Sequence, residues 1–182
     1  MDLLTQLRKS LKQKQCVRFR TSHPEQDYYD GIVTHVRPDY IVLCQEDDFE
    51  FDGVVVLNRK AITACDDQYY GKVFNAVLRN TGQLAALKAP AWLDDCRTFE
   101  DVFTQLKRRR IWPAVKIVHK KDGWFFIGQI THVEENGSVI RHYDGNGKWE
   151  DDDAPFGYQN LHCIHFGDRY TKHFNSYMRK TG

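Results

Sequence analysis

Histidine and cysteine side chains recur at a few spacings that can support chemistry. His35 and His132 each follow a threonine in two short Thr-His-Val stretches, where a histidine can act as a base or a ligand. His162 and His165 flank Cys163 and offer nitrogen and sulfur donors, but one zinc ion needs four converging ligands. On a β-strand His162 and His165 would point to opposite faces, because side-chain direction alternates. We therefore expect structural roles for all four histidines and no metal site.

Basic residues form the second group that can do chemistry. One cluster consists of Lys107, Arg108, Arg109 and Arg110, and a further six basic residues lie between positions 1 and 20. Such cations neutralise phosphates, and nearby aromatic rings such as Trp112 and Trp124 can stack on bases. The alternative is a pair of solvated helix faces balanced by the acidic runs 46–52 and 150–153. Those runs lack the spacing of a calcium loop, so we expect solvated loops or contacts with a basic partner.

The bulk composition excludes several classes of protein. The formal net charge of the 182-residue chain is only +1, so no overall field favours nucleic acid or a membrane. No segment has the length or apolar content of a membrane span or signal peptide. The five cysteines are odd in number, scattered and without a Cys-x-x-Cys pair, which indicates reduced thiols. We expect a cytoplasmic protein without membrane contact.

Signature motifs of enzymes are missing from the sequence. We find no nucleophile elbow, no phosphate-binding loop, no dinucleotide fingerprint and no cysteine–histidine pair at a recognisable spacing. The sequence therefore favours a protein that is not an enzyme and has no cofactor.

An internal repeat is the strongest pattern in the chain. Three pairs of segments match in the same order at offsets of 97 to 100, namely 5–9 with 104–108, 31–36 with 128–133, and 59–82 with 159–182. In the last pair, 7 of 24 positions are identical. We interpret the chain as a tandem duplication, with a first repeat at 1–82, a linker at 83–96 and a second repeat at 97–182.

Each predicted repeat contains the same order of elements. Leucines and other apolar residues at helical spacing predict an opening helix, and Thr98 with Asp101 resembles a capping box at the second of these. Gly82 and Gly182 are placed where a short closing helix would end. Five short strands between the helices are predicted at 17–21, 29–36, 40–44, 54–57 and 61–65, and at 114–119, 124–133, 138–143, 154–158 and 161–166. The fold class is mostly β with short helices, and we expect each repeat to form a small closed five-stranded barrel, which leaves no sheet edge exposed.

Two motifs resemble those of Sm-like barrels, particularly the bacterial Hfq-type RNA chaperones. In the first repeat they are Gly31-Ile-Val, followed by an apolar strand, and Asn58-Arg-Lys-Ala-Ile62; in the second they are Gly128-Gln-Ile130 and Tyr158-Gln-Asn-Leu161. The alternation of apolar residues is also similar to that of SH3-like barrels. The resemblance leaves the closing helices and the linker unexplained.

The resemblance also implies a location for an RNA site. In the Sm-like family a basic pair in the late strand contacts uridine-rich RNA, and the matching pairs are Arg59 with Lys60 and Gln159 with Asn160. Only the first pair carries charge.

Three functions remain as hypotheses. The first is a non-enzymatic adaptor with two small barrels that binds another protein at a barrel face or strand edge. The second is an RNA-binding protein of Sm-like character, using the late-strand pairs and the cluster at 107–110. The third is an immunity or antitoxin-type protein. Oligomerisation through strand edges is compatible with each.

Overall fold

A computed structural model describes residues 2–22, 28–66, 69–87, 89–119 and 122–181. Each of the ten predicted strands is present, as are the opening and closing helices. The helices are α1 (Leu3–Gln13), α2 (Gly71–Asn80), α3 (Gln83–Ala86), α4 (Phe99–Arg108) and α5 (Arg169–Thr181). The strands are β1 (Cys16–Thr21), β2 (Tyr28–Val36), β3 (Tyr40–Asp47), β4 (Glu50–Asn58), β5 (Ile62–Asp66), β6 (Ala114–His119), β7 (Asp122–Glu134), β8 (Gly137–His142), β9 (Ala154–Gly157) and β10 (Leu161–Phe166).

The strands form one open antiparallel sheet, so the prediction of two closed five-stranded barrels is wrong. The order across the sheet is β5-β1-β2-β3-β4-β10-β6-β7-β8-β9. A closed barrel would require β4 to pair with β5, but β4 pairs with β10 from the second half of the chain. Hydrophobic alternation predicts strands and their buried faces, but it does not say which neighbour a strand takes. The closed barrels were predicted from the order of the elements and from the resemblance to Sm-like and SH3-like proteins, and neither of these identifies the partner of each strand.

The strand order in the first half recurs in the second half. Residues 31–36 lie in β2 and residues 128–133 in β7, and each strand is third in the order of its half. The pairing of β2 with β3 shifts register between Val33 and His35, and that of β7 with β8 shifts between Ile130 and His132. At both shifts a threonine hydroxyl donates to a strand carbonyl, Thr34 to Val42 and Thr131 to Val139. The two matched segments therefore occupy equivalent places with equivalent irregularities.

Strands β3 and β4 are buried on both faces. One face packs in the cluster below α1, through Ile41, Leu43, Val55 and Leu57. The opposite face packs in the cluster below α4, through Tyr40, Val42, Val54 and Val56. This explains the nearly continuous apolar runs of both strands, which are typical of sheets covered on two sides. The two halves share hydrophobic core.

The helix ends follow the predicted chemistry. Thr98 and Asp101 form the capping box of α4, as predicted. Gly82 follows α2 with φ of 78°, the left-handed conformation expected there, whereas Gly182 lies outside the described residues. The predicted linker contains α3 and a 3-10 turn at Ala91–Asp94, and Leu93 and Cys96 of this segment are buried.

Buried asparagines attach the two closing helices to the sheet. The Asn75 side chain on α2 accepts a hydrogen bond from the Cys16 N–H at 2.8 Å. On α5, Asn175 donates to the Trp112 carbonyl at 2.8 Å and accepts from the Tyr143 hydroxyl at 2.9 Å. A buried amide without these partners would cost about 1–3 kcal/mol, which explains why both matched segments carry asparagine at this position.

Candidate nucleic-acid interface

The predicted late-strand pairs lie in two 3-10 turns, Arg59–Ala61 and Tyr158–Asn160. Lys60 and Gln159 line the same cavity of about 480 Å³, which we call the junction cleft, and Arg59 and Asn160 do not line it. Each residue is the second of its turn, so Lys60 corresponds to Gln159 and Arg59 to Tyr158. The sequence alignment, which matched Arg59 with Gln159, is therefore shifted by one residue here.

The charge of the junction cleft does not suit a phosphate. Three carboxylate residues, Asp39, Glu100 and Glu135, line it beside the single cation Lys60. Arg59 instead uses its Nη1 to donate to the carbonyls of Arg37, at 3.3 Å, and Pro38, at 2.5 Å. It thereby holds the turn between β2 and β3.

The two matched histidines have different surroundings. The Nε2 of His35 lies 2.8 Å from Asp94 Oδ1, so His35 attaches β2 to the segment that precedes α4. His132 Nε2 lies 3.3 Å from Glu134 Oε1, and both of these side chains are mostly exposed. The Nδ1 of His35 lies 3.0 Å from the Thr34 hydroxyl, which also donates to the Val42 carbonyl within the sheet.

His162 and His165 approach the same tyrosine, which contradicts the expectation of opposite faces. Their ring centroids lie 5.8 and 5.6 Å from that of Tyr29. The cause is a bulge in β10, because the pairing with β6 shifts register between Leu161 and Cys163 and His162 is the extra residue. Within the described part of the chain, no three His, Cys, Asp or Glu side chains are grouped closely enough to hold a metal ion.

Burial holds His165 and Cys163 in their uncharged forms. It lowers the pKa of His165 to about 3, with further contributions from Lys116 and His162, so the imidazole is neutral at physiological pH. Burial also raises the pKa of the Cys163 thiol to about 11. A thiol that stays protonated is a poor nucleophile. The Cys163 Sγ lies 3.1 Å from the Tyr29 hydroxyl and packs in the core.

The acidic run 46–52 meets a basic partner on α5. Arg169 contacts Asp52 through its backbone N–H at 2.8 Å and its Nε at 3.2 Å, and it also forms an ion pair with Asp47. This contact lies within the chain, whereas a solvated loop or a contact with a basic partner was expected from the sequence.

A second cavity, the basic cleft, concentrates positive charge. It has a volume of about 490 Å³ and lies between residues 109–112, which follow α4, and one side of α5. Five cationic side chains line it and no carboxylate does; the cations are Arg109, Arg110, Lys172, Arg179 and Lys180. None of the five forms an ion pair with a carboxylate among the residues that the structure describes. The cleft therefore presents a positive charge that is not neutralised within the described part of the chain.

Local contacts hold the walls of the basic cleft together. The Nη2 of Arg179 donates to the Arg110 carbonyl at 2.6 Å, and its guanidinium lies 4.6 Å from the centre of the Trp112 ring. Arg110 has a left-handed backbone with φ of 54°, which turns the chain sharply between α4 and β6. Asn175 closes the floor through its bond to Trp112.

The sequence pointed to two of the five cations that line this cleft. Arg109 and Arg110 of the predicted cluster line it, whereas Lys107 and Arg108 lie in the last turn of α4, where cations stabilise the helix dipole. The residues on α5 were missed because they are remote in sequence. Their helical spacing, positions 172, 179 and 180, was a signal that placed them on one side of a helix.

Comparison with family models, curated proteins and solved structures finds no match to this chain. No helix in the described ranges combines the length and apolar character needed to cross a membrane.

Proposed function

We propose that the protein is a non-enzymatic nucleic-acid-binding protein that holds the phosphate backbone in the basic cleft. The observation that supports this is the set of five cations, unaccompanied by a carboxylate, around one cavity. Cations that meet phosphates release condensed counterions, which is the main source of sequence-independent affinity.

The side chains of the basic cleft match phosphate chemistry in type as well as charge. Arginine presents several N–H donors in a planar fork that fits a phosphate, and Arg109, Arg110 and Arg179 all line the cleft. The hydroxyl of Ser176, exposed on α5, adds a neutral donor. Of the residues that the sequence suggested for nucleic-acid binding, Arg109 and Arg110 line this cleft, whereas the late-strand pairs do not.

Binding through the basic cleft predicts a particular salt dependence. The double variant Arg110→Gln, Lys172→Gln removes two exposed cations without removing a side-chain hydrogen bond of the described structure. We expect the slope of log affinity against log salt to become shallower by about 0.7–0.9 per cation removed. Fluorescence anisotropy with a labelled oligonucleotide at several salt concentrations measures this slope.

Lys60→Gln is the matched control, because it removes one exposed cation from the junction cleft. This variant should retain the affinity and salt slope of the original protein. Equal losses in the control and the double variant would place the contact surface elsewhere. Failure of the original protein to bind RNA or DNA at low salt would disprove the proposed function.

A second candidate function, protein binding, is favoured by the outer face of α2. Val73 is 79% exposed, and Val77 and Tyr69 beside it are 37% and 51% exposed. Apolar groups gathered at a surface are a common feature of protein interfaces. Affinity capture from the native host with the original chain and with Val73→Glu as bait tests this candidate: a partner lost only with Val73→Glu supports it.

The recurring strand order and register shifts also support the proposal that the two halves arose by duplication.

The edge strands of the sheet determine whether copies of the chain can pair through their strands. At β9 the Tyr158 N–H points inward to the Asn136 carbonyl, so by alternation the backbone nitrogen of Pro155 points outward. Proline has no N–H to donate, so this edge is a poor template for another strand. We expect light scattering to give the mass of a single chain, 21.4 kDa, and a larger mass would contradict this.

A further inference from the structure

We propose that the nucleic acid is single-stranded and that its bases stack on a row of aromatic rings along α5. This inference rests on the proposed function and adds a second surface to it. The row, which we call the aromatic ladder, consists of Phe125, Tyr170, Phe174 and Tyr177.

Three of the four rings of the aromatic ladder are exposed, and the fourth, Phe174, is partly buried. Tyr170, Phe174 and Tyr177 are spaced four and three residues apart, which places them on one side of α5. The ring of Tyr170 lies 6.1 Å from that of Phe125 and 4.7 Å from that of Phe174. Phe125, Tyr170 and Tyr177 are 46%, 47% and 56% exposed, although burial of such rings is normally favourable.

Two cavities lie along the aromatic ladder. One, of about 330 Å³, is bordered by Phe125 and Tyr170. The other, of about 320 Å³, is bordered by Phe174 and Tyr177, with Asn146 on its opposite side. Both volumes fall at the lower end of the range for ligand pockets, about 300–1,000 Å³. Each has an aromatic wall, and the cavity at Tyr177 adds the neutral amide of Asn146, which is the chemistry that recognises a flat, uncharged base.

The aromatic ladder and the basic cleft differ in the charges that border them. Two carboxylates, Asp52 and Asp168, and one cation, Lys116, border the cavity at Tyr170, whereas every charged side chain that lines the basic cleft is a cation. Thr171 borders both cavities, so they adjoin at the first turn of α5. A helix with its side chains is only about 10–12 Å across. One strand lying over α5 can therefore place phosphates on the basic side and bases on the aromatic side.

Stacking on the aromatic ladder requires unpaired bases. In a duplex each base face is covered by its neighbours, so aromatic side chains stack only on bases of single strands, loops or ends. A cationic groove beside aromatic rings is the combination by which proteins hold single strands without strong sequence preference. The chemistry is common to RNA and DNA, and the 2′-hydroxyl would distinguish them.

Oligonucleotides of one sequence, about 12 nucleotides long, provide the test. The full-length protein is titrated with the single-stranded RNA, the single-stranded DNA, the corresponding duplex and an abasic DNA strand of equal length. We expect the single strands with bases to bind most tightly. Tyr170→Leu and Tyr177→Leu should each weaken that binding by about tenfold and leave the salt slope and the abasic affinity unchanged.

Trp124→Leu is the matched control. Trp124 is 53% exposed and adjoins Phe125 in sequence, but side-chain alternation places it on the opposite face of β7. Replacing it should leave affinity for every probe unchanged. Thermal unfolding of all three variants verifies that the fold is intact.

The outcomes distinguish this inference from the proposed function. Equal binding of duplex, abasic and single strands, lowered only by loss of cations in the basic cleft, would overturn the stacking inference and retain nucleic-acid binding. Binding to none of the probes at low salt would overturn both. A loss for Trp124→Leu as large as that for Tyr177→Leu would also contradict a specific role for the ladder.

Discussion

Acidification from about pH 6.5 to about pH 3 is expected to destabilise the protein through His165, by roughly 1 kcal/mol per pH unit. Burial, followed by the charges of Lys116 and His162, lowers the pKa of His165 from 6.5 to about 3 in the folded state. An unfolded chain takes up this proton near its ordinary pKa, whereas the folded chain does not. The unfolded state therefore binds more protons throughout this window, and stability rises with pH across it.

The variant His165→Gln isolates this effect, because glutamine does not titrate. Urea unfolding at pH 7 and pH 4.5 should show that the original protein loses about 2–3 kcal/mol more than the variant over this interval. The variant His132→Gln, at an exposed position, should lose as much as the original protein. Parallel losses in the original protein and His165→Gln would show that this imidazole does not control acid stability.

We expect alanine at Gly31 or at Gly128, the glycines of the repeated strand motif, to lower the free energy of unfolding by about 1–3 kcal/mol or more. A Cβ at Gly31 would overlap with the carbonyl oxygen of Cys44, and one at Gly128 with that of Arg141. Both obstacles are backbone atoms within a paired strand, so relief requires displacement of the sheet itself. Urea unfolding of Gly31→Ala and Gly128→Ala measures the loss.

Gly145→Ala is the control for these two substitutions. A Cβ there meets nothing within 4 Å, so only a small change in stability is expected. Equal stability of Gly31→Ala and Gly145→Ala would mean that close strand approach at Gly31 imposes no constraint.

Local patterns in the sequence predict the elements of this fold but not their assembly. Helical and alternating periodicities locate every strand, and Thr98 with Asp101 marks the start of α4. The partner of β4 was predicted incorrectly, because an apolar pattern shows which face of a strand is buried and does not show which strand lies beside it. The bulge at His162 was also missed, since an extra residue in a strand has no strong signature in its own sequence.

The candidate site was only partly accessible from sequence for a similar reason. The cluster at 107–110 was visible as a charge run, but its partners on α5 are more than 60 positions away along the chain. The junction cleft shows that a cation identified from the sequence can lie among carboxylates in the fold. The resemblance pointed to Lys60, but the surrounding Asp39, Glu100 and Glu135 come from three other places in the chain. Charge balance at a surface is a property of the folded molecule.

The proline in β9 has a consequence for the behaviour of the protein at high concentration. The sheet has two different edge strands, β5 and β9, so β9 of one copy could pair with β5 of the next. Such head-to-tail addition does not stop at a defined number of copies unless it closes into a ring. Pro155 removes one of the two outward donors of β9 and leaves that of Gly157, because the nitrogens of both residues face outward. The missing N–H weakens the pairing of β9 with a strand of another copy, which is the first step of fibre growth. An open ten-stranded sheet is therefore compatible with solubility.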